Sequence, residues 1–351
     1  MKSDFIQIEN RKIGVGYPPY IVAELSANHN GDINTALKLI ELAKQNGADA
    51  IKIQTYTADT LTMDSDKPDF KIEGGLWGGK TLYELYDWAH TPWEWHEALF
   101  KRARQLGITM FSSPFDATAV DFLETLDVPA YKIASFELVD LPLIARVAQT
   151  GKPMIMSSGM ANAEEIEEAV NTAKQHGCKE LVLLHCISGY PAPVEEYNLK
   201  TMQDLAEKFQ LPVGLSDHTL SNITSITAVA LGAVLIEKHF TLDRQGGGPD
   251  DSFSMEPKDL ADLCDGAKNA WQALGHVNYQ RGVSESKNAI FRRSLYVVKD
   301  MQAGEVFSAE NVRSIRPGFG LAPKHYDSVL GKKSTRAIAA GSRLEWELVE
   351  R

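Results

Sequence analysis

Four short apolar runs in the sequence each carry charge flanked by apolar neighbours. These charges are Glu24 in IVAEL, Lys52 in IKIQ, Lys132 in YKIAS, and Glu237 with Lys238 in IEKHF. Lysine and glutamate are almost never fully buried without a partner, so each charge needs an ion pair or a ligand. Because the charges stand near the ends of the runs, we expect a site for a charged substrate, with a structural ion-pair network as the alternative.

Two histidines end neighbouring runs of this kind. His218 closes GLSDH and His239 closes IEKHF. Two imidazoles with carboxylates nearby can bind a divalent ion such as Mn²⁺ and leave positions open for water and substrate. We therefore expect a metal site, with two structural histidines as the alternative. By the same logic His185 in LLHC is a candidate third residue, whereas His29 is expected to hold a loop whose Asn30-Gly31 turn needs positive φ.

Small hydroxyl residues stand at the ends of two further runs. They are Ser112 and Ser113 in SSPF, and Ser157 and Ser158 in SSGM. Such hydroxyls can donate to phosphate or carboxylate oxygens, and Gly159 lets a backbone approach closely. The sequence has no GxxxxGK[ST] motif, so nucleotide-driven phosphoryl transfer is not expected.

Eight apolar runs alternate with amphipathic helical stretches and carry these residues. The runs cover residues 20–25, 50–55, 109–114, 130–135, 153–158, 180–186, 212–217 and 234–241. Such alternation is typical of a parallel sheet covered by helices. Eight units predict an α/β fold, a (β/α)₈ TIM barrel whose active site lies at the carboxyl ends of the strands. An open doubly wound sheet is the alternative, but no GxGxxG follows the first run.

Three segments lie outside the eight units. Residues 5–14 alternate around Glu9-Asn10 and predict a hairpin that plugs the bottom of the barrel. Residues 56–91 contain glycine-flanked aromatics and predict either a lid over the barrel mouth or a surface excursion. The barrel domain is expected over 1–274, a polar linker over 275–290, and a small, mostly β domain over 291–351.

Composition limits the partners. The chain has 351 residues, 36 basic against 47 acidic side chains and a net charge of −11, which argues against nucleic acid. A small anionic substrate still fits, because a few buried lysines can dominate a pocket. Cys178, Cys186 and Cys264 fit neither a disulfide framework nor a CxxC metal site. With no apolar targeting segment and no run of about 18 apolar residues, we expect a cytoplasmic protein without a membrane segment.

Nine segments in order resemble the sialic acid synthase family. They are AELSANHNG, IKIQTY, SSPFD, YKIASFE, SSGM, GLSDHT, IEKHFTLD, GPDDSFSMEP and RSIRPGFG. The C-terminal part is similar to the antifreeze-like SAF domain. The resemblance implies a transferase that joins phosphoenolpyruvate to an amino sugar, giving a nine-carbon 2-keto acid and phosphate by C–O cleavage. It also implies a divalent metal cofactor, Mn²⁺ or Mg²⁺.

The resemblance implies roles at the matching positions. Glu24 is the acid/base that handles the attacking water. The contacts to phosphoenolpyruvate are Lys52, Lys132, Ser113, Ser135 and Ser157, with Gln54 as a polar neighbour. The sugar-side positions are Ser188, Tyr190 and Asp250, and the metal ligands are His218 and His239. Arg316 matches an arginine that the SAF domain inserts into the barrel of a partner subunit, which implies a domain-swapped homodimer.

Two segments depart from the usual family pattern and bear on the sugar. ELSANHNG stands in place of EIGINHNG, and HCISGYP in place of HCTN-x-YP, so that Ser188 replaces a sugar-contacting asparagine. The loss of the asparagine argues against N-acetylmannosamine. ELSANHNG, the insertion 56–91 and SGYPAP resemble the members of the family that use a 6-deoxy diacetamido hexose, and this resemblance implies 2,4-diacetamido-2,4,6-trideoxy-L-altrose as the sugar. Tyr56, Trp77 and Tyr83 are expected to supply apolar surface around its methyl group. The alternatives are the members that make N-acetylneuraminate or legionaminate and, from another class, a non-catalytic carbohydrate-binding protein.

Overall fold

Eight parallel strands close into a barrel in the first of the chain's two units, which are Met1–Gly275 and His276–Arg351. The computed structural model describes residues 5–351. After the hairpin β1 (Phe5–Ile8) and β2 (Arg11–Gly14), the barrel strands are β3 (Tyr20–Glu24), β4 (Ala50–Thr55), β5 (Thr109–Pro114), β6 (Tyr131–Ile133), β7 (Met154–Ser157), β8 (Leu181–Cys186), β9 (Val213–Asp217) and β10 (Leu235–His239). Strand β10 pairs with both β9 and β3. The predicted TIM barrel is confirmed.

Helices follow every barrel strand. In chain order they are α1 (Ile33–Gln45), α2 (Ala58–Leu61), α3 (Leu82–Ala89), α4 (His96–Leu106), α5 (Ala117–Thr125), α6 (Leu141–Ala148), α7 (Ala163–Gln175), α8 (Thr201–Phe209), α9 (Ile223–Ala230) and α10 (Pro257–Leu274). Helices α2 and α3 belong to the insertion 56–91, which lies between β4 and α4. Among the described residues, no helix is long and apolar enough to cross a bilayer.

Helix α7 shows how local sequence sets these elements. The Asn162 side chain accepts from the backbone N–H of Glu165, and the Glu165 carboxylate accepts from the N–H of Asn162, which caps the first turn. The apolar positions then recur at helical spacing and form the buried face: Ile166, Ala169, Val170 and Ala173. The chain leaves the helix at Gly177, whose φ of 105° favours glycine.

Successive side chains of each barrel strand point alternately outward to the helices and inward to the barrel. Residues that face outward pack under the helices in the main apolar cluster. Those that face inward near the amino ends of the strands join the hairpin in a second cluster, which includes Ile6, Ile8, Ile13, Val22, Phe111, Ile155 and Val182. The hairpin therefore covers the amino end of the barrel, and the carboxyl end is left to polar side chains.

The second unit has its own small core. Strands β11 (Ser294–Val297) and β12 (Val312–Ile315) pair antiparallel, and the unit also contains the short helices α11 (Val283–Ser286) and α12 (Tyr326–Val329). Its buried apolar residues include Leu295, Val297, Phe307, Val312 and Leu344. Single bridges such as Met301 with Ile338 extend the pairing. A separate linker at 275–290 stays a prediction.

Candidate active site

The inward-facing positions at the carboxyl end of the barrel are polar. Every second residue of a strand points inward, so side chains distant in sequence meet above the apolar layer. The buried polar residues of this layer are Glu24, Lys52, Ser113, Lys132, Ser157, Ser216 and Glu237. This layer forms the floor of the candidate site.

Four charges in this floor form one network. Lys52 Nζ lies 2.8 Å from Glu24 Oε2 and 3.8 Å from Glu237 Oε1. Lys132 Nζ lies 3.5 Å from the same oxygen of Glu237, and every one of these side chains is at most 6% exposed. The structure thus brings Glu24, Lys52, Lys132 and Glu237 together, as the flanked charges in the sequence predict, although the family resemblance implied no separate role for Glu237. Two lysines and two glutamates cancel in formal charge.

Burial shapes the protonation of the network. It raises the pKa of the Glu24 carboxyl, with Lys52 opposing and the Glu237 carboxylate adding to the rise. Burial also lowers the pKa of Lys132, although Glu237 opposes the fall. A carboxylate whose pKa is raised is a stronger base than an ordinary one, which suits an acid/base group.

A chain of hydrogen bonds leads from Glu24 toward the mouth. Gln54 Nε2 donates to Glu24 Oε1 at 2.8 Å and to Ser26 Oγ at 2.9 Å. Ser26 Oγ in turn donates to Asp250 Oδ2 at 2.6 Å. The predicted residues Gln54 and Asp250 are therefore connected through Ser26, which the sequence did not identify.

A group of serine hydroxyls lies around Gly159. The backbone N–H of Gly159 donates to Ser135 Oγ at 3.2 Å, and a Cβ built on Gly159 would overlap Ser188 Oγ. Ser157 Oγ and Ser188 Oγ are buried without hydrogen-bond partners among the described residues. Lys52 Nζ donates to Ser113 Oγ at 3.3 Å. Hydroxyls without partners can donate to an anion. Ser188 Oγ lies near Ser135 Oγ beside Gly159, and its expected contact with the sugar stays a prediction.

The two histidines face each other at the rim. Their ring centroids are 5.4 Å apart, and Tyr190 lies against the His218 ring at 4.4 Å. The Nδ1 of His218 is 2.8 Å from the carbonyl of Ile187, the contact that orients a metal-binding imidazole through its other nitrogen. The Nδ1 of His239 is buried without a hydrogen-bond partner and is 3.8 Å from Asp250 Oδ2.

These nitrogens fit a divalent metal. Burial, with His218 adding to the effect, lowers the pKa of His239 well below its usual range, and a neutral imidazole is the form that binds metal. Within residues 5–351 no cluster of three or more His, Cys, Asp or Glu side chains is arranged to hold an ion. Substrate oxygens or water would therefore have to complete the coordination.

A cavity of about 340 Å³ opens beside His239. The barrel supplies Gln54, Tyr190, His239 and Asp250, and the insertion supplies Tyr56, Leu61, Ile72, Trp77, Leu82, Leu85, Tyr86 and Ala89. Trp77 Nε1 donates to the carbonyl of Pro249 at 2.9 Å, and the Trp77 ring lies 5.7 Å from that of Tyr190. The insertion is thus a wall of the cavity, not a surface excursion.

Glu137 is a further cavity residue that the sequence analysis missed. It follows β6 within YKIASFE, lines the cavity and has a buried Oε2 without a hydrogen-bond partner among the described residues. Burial raises its pKa to about 7, with Lys132 opposing the rise. A carboxyl so placed can exchange a proton or accept a hydrogen bond from a sugar.

Two residues expected near the site lie elsewhere. Tyr83 stands beside the carboxylate of Asp59 and is not part of the cavity wall, whereas Tyr86 is. His185 Nε2 bonds to the carbonyl of Tyr197 at 2.5 Å, on the helix side of β8, so its proposed place at the rim was wrong.

Two other residues have structural roles. Lys238 faces outward, 3.1 Å from Asp217, so only Glu237 of the charged pair belongs to the floor. His29 holds its loop as expected, with Nδ1 accepting from the N–H of Gly31, and Asn30 and Gly31 have φ of 50° and 73°.

Arg316 belongs to the second unit. It follows β12 and is exposed. Its insertion into a partner's barrel stays a prediction.

Comparison with known proteins identifies the family. Residues 39–279 match the NeuB family, and residues 292–350 match the SAF domain. The chain belongs to the NeuB family. The resemblance to sialic acid synthases with a C-terminal SAF domain is therefore confirmed, and the NeuB match includes the barrel strands from β4 to β10.

Named relatives of this family cover nearly the whole chain. The chain is 47% identical over 326 residues to the pseudaminic acid synthase of Campylobacter jejuni subsp. jejuni (serotype O:23/36, strain 81-176), which is 93% of this chain and 95% of the relative. It is 40% identical to the N,N'-diacetyllegionaminic acid synthase of C. jejuni (serotype O:2), over 90% of this chain and 96% of the relative. The solved N-acetylneuraminic acid synthetase of Leptospira borgpetersenii is 34% identical, with a TM-score of 0.72, over 82% of this chain and 95% of that one.

Proposed function

We propose that this protein is a pseudaminic acid synthase. It condenses phosphoenolpyruvate with 2,4-diacetamido-2,4,6-trideoxy-L-altrose and water, giving pseudaminate and phosphate by C–O cleavage. The observation that carries the proposal is the meeting, in one barrel mouth, of a lysine–serine anion site and an apolar cavity. The relative with that name is 47% identical, against 40% for the legionaminic acid enzyme, which remains the alternative.

The anionic substrate fits the floor of the barrel. Lys52 and Lys132 supply positive charge, and the hydroxyls of Ser113, Ser135 and Ser157 supply donors for phosphate and carboxylate oxygens. Ser188 Oγ is buried beside Ser135 without a partner, so we assign it to the anion as well. The replacement of asparagine by Ser188 then alters the anion site, and the cavity wall carries the choice of sugar.

Glu24 is placed to move a proton at the carbon that loses phosphate. The enol carbon C3 attacks the sugar aldehyde, leaving an electron-deficient C2, and water adds there before the C–O bond to phosphate breaks. The water must lose a proton as it adds, and Glu24, with its raised pKa, can accept it. A carboxylate also favours the developing positive charge at C2. Gln54 holds Glu24 Oε1 and fixes the direction of the carboxylate.

His218 and His239 would hold a divalent metal, Mn²⁺ or Mg²⁺. The unpartnered Nδ1 of His239 supports this assignment, because a buried ring nitrogen without a partner is costly. A bound metal would polarise the sugar aldehyde as a Lewis acid. The floor adds no net positive charge of its own, so a dication also helps to balance an anionic substrate.

The apolar cavity wall favours a sugar with methyl groups. The side chains of Trp77, Tyr56 and Tyr86 offer aromatic surface for the 6-methyl and acetamido methyl carbons. Burial of each such carbon contributes about 0.8 kcal/mol of binding free energy. Glu137 and Asp250 are the carboxyls left to bond polar groups of the sugar. N-acetylmannosamine carries a hydroxyl on C6, which such a wall leaves without a partner.

We further propose a domain-swapped homodimer in which Arg316 enters the partner's barrel. Large apolar side chains are exposed between barrel strands and the helices that follow them, at Phe136, Val139, Met160 and Val194, and at Ile223, the first residue of α9. Others are exposed in the second unit, including Phe291 and Phe319. Contact with another chain would bury these side chains, and an arginine would add the positive charge that the floor lacks. The three free thiols fit a reducing compartment, so we place the enzyme in the cytoplasm.

Isotope tracing tests the reaction. Phosphoenolpyruvate carrying ¹⁸O in the bridging C–O–P position is incubated with the altrose derivative and Mn²⁺. The proposal predicts that the label leaves with phosphate and that a diacetamido nine-carbon acid forms. A carbohydrate-binding protein would release no phosphate, and label retained in the acid would contradict C–O cleavage.

A further inference from the structure

A buried ion pair lies on the outer side of the barrel, behind the two rim histidines. Asp217 and Lys238 are neighbours in the register of β9 and β10, and Lys238 Nζ lies 3.1 Å from Asp217 Oδ2. Their side chains are 0% and 1% exposed. Each residue directly precedes a histidine, since His218 follows Asp217 and His239 follows Lys238.

The pair also forms hydrogen bonds with the backbone of Thr219, the residue that follows His218. Thr219 N–H donates to Asp217 Oδ1 at 2.8 Å, and Lys238 Nζ donates to the carbonyl of Thr219. His218 therefore sits between two residues that the same ion pair holds. Ser225 Oγ from α9 donates to Asp217 Oδ2 at 2.5 Å and ties the arrangement to the helix layer.

Packing alone gives no reason for charge at this place. A buried ion pair costs several kcal/mol in desolvation, and apolar residues of similar volume often stabilise as well or better. Charge does offer direction, because a carboxylate and an ammonium bind particular backbone groups at fixed angles. Here the groups bound are the N–H and carbonyl of the residue that follows His218.

We propose that the Asp217–Lys238 pair is a positioning device for the metal-binding histidines. It locks the ends of β9 and β10 in one register and fixes the backbone on both sides of His218. The inference rests on the proposed function in that His218 and His239 are taken as the ligands. Groups that orient ligands typically contribute 10–100-fold to metal affinity.

The test compares the double variant Asp217→Asn/Lys238→Met with a matched control. Changing both residues avoids leaving one buried charge unpaired, which would threaten folding. The control is Val229→Ala, which removes packing under α9 and leaves residues 217–219 untouched. For each folded full-length protein, the dissociation constant for Mn²⁺ is measured by electron paramagnetic resonance of free Mn²⁺ without substrates, and Tm is recorded. Comparison of the unaltered chain with His218→Ala shows whether Mn²⁺ binding depends on His218.

A positioning role predicts at least about a tenfold weaker Mn²⁺ affinity in the double variant and an unchanged affinity in Val229→Ala, even at equal loss of Tm. An unchanged affinity in the double variant overturns the positioning role while the metal site stands. Equal weakening in both variants overturns it as well, since general destabilisation then accounts for the effect. If the unaltered chain binds no Mn²⁺, or if His218→Ala binds Mn²⁺ as well as the unaltered chain, the proposed metal site is contradicted and this inference with it.

Discussion

Lys52 Nζ lies 2.8 Å from Glu24 Oε2, between neighbouring strands and almost without exposure. The anion-binding lysine and the acid/base carboxylate of the proposed reaction are thus one ion pair. Binding of an anion to Lys52 competes with Glu24 for the ammonium. The charge of Glu24, and hence its affinity for a proton, is coupled in this way to the presence of substrate.

Replacing Glu24 with glutamine separates chemistry from binding. Glutamine keeps the shape and can still bond Gln54, but it cannot take the proton of water. We expect kcat to fall roughly 10²–10⁴-fold, while phosphoenolpyruvate binds at least as well, since Lys52 loses a competing partner. Steady-state kinetics and calorimetric titration of phosphoenolpyruvate check the two parts. A variant with normal kcat would remove Glu24 from the mechanism.

Ser157 and Ser158 form a matched pair for testing the anion site. Ser157 Oγ is buried without a partner, whereas Ser158 Oγ donates to the carbonyl of Leu184 on the other face of the strand. We expect Ser157→Ala to raise the KM for phosphoenolpyruvate about tenfold, because a hydrogen bond to a charged group is lost. Ser158→Ala should leave this KM nearly unchanged. Equal effects of the two variants would speak against the assignment.

Glu137 should make folding stability depend on pH. Its pKa of about 7 exceeds the ordinary value of 4.5, so the folded chain binds this proton more tightly than the unfolded chain. Its contribution is complete below pH 4.5 and is lost as the pH rises to about 7. Relative to the unaltered protein, Glu137→Gln should gain up to about 3 kcal/mol of unfolding free energy between these limits. Urea denaturation at pH 5 and pH 8 measures it, with exposed Glu97→Gln as control. A pH-independent difference would refute the assignment.

Mixing two inactive variants tests the swapped dimer. Glu24→Gln removes the acid/base group from its own barrel, and Arg316→Ala removes the arginine that is proposed to enter the partner's barrel. In a randomly mixed population, half the dimers are mixed and each has one intact site, so about a quarter of normal activity should return. Activity is assayed after unfolding and refolding the two chains together, with each variant alone as control. No recovery would mean that Arg316 serves the barrel of its own chain, and full activity of Arg316→Ala alone would mean that it serves no site.

The sequence predicts the fold well because the strands carry a local pattern. The eight apolar runs correspond to the eight strands, with small differences at the ends such as 130–135 against Tyr131–Ile133. The barrel topology then places all strand ends at one rim, which is why Glu24, Lys52, Lys132 and the histidines meet although up to 215 positions separate Glu24 from His239.

The wrong predictions for His185 and Tyr83 are explained by the periodicity of the strand and the helix that carry them. Cys186 lies near His218 inside the barrel, so its neighbour His185 must face the helices. In α3 the residues on the cavity side recur at helical spacing: Leu82, Leu85, Tyr86 and Ala89. Tyr83 falls outside this series. Both outcomes were available from the sequence.

Other parts of the site have no local signal. Ser26 acquires its role because its loop, with φ of 47°, meets Asp250 from the far end of the barrel domain. Glu137 stands in a turn after β6, where a lone carboxylate predicts only solvent exposure. Its burial depends on walls that come from elsewhere in the chain, including the insertion.

Competition between two sugars measures the proposed sugar specificity in a single reaction. Equal concentrations of 2,4-diacetamido-2,4,6-trideoxy-L-altrose and N-acetylmannosamine are incubated in one vessel with limiting phosphoenolpyruvate and Mn²⁺, and the acids formed are resolved by mass. We expect the diacetamido nine-carbon acid to predominate by at least about tenfold, the discrimination that one unpaired hydroxyl in an apolar wall supplies. Predominance of N-acetylneuraminate would contradict the assignment.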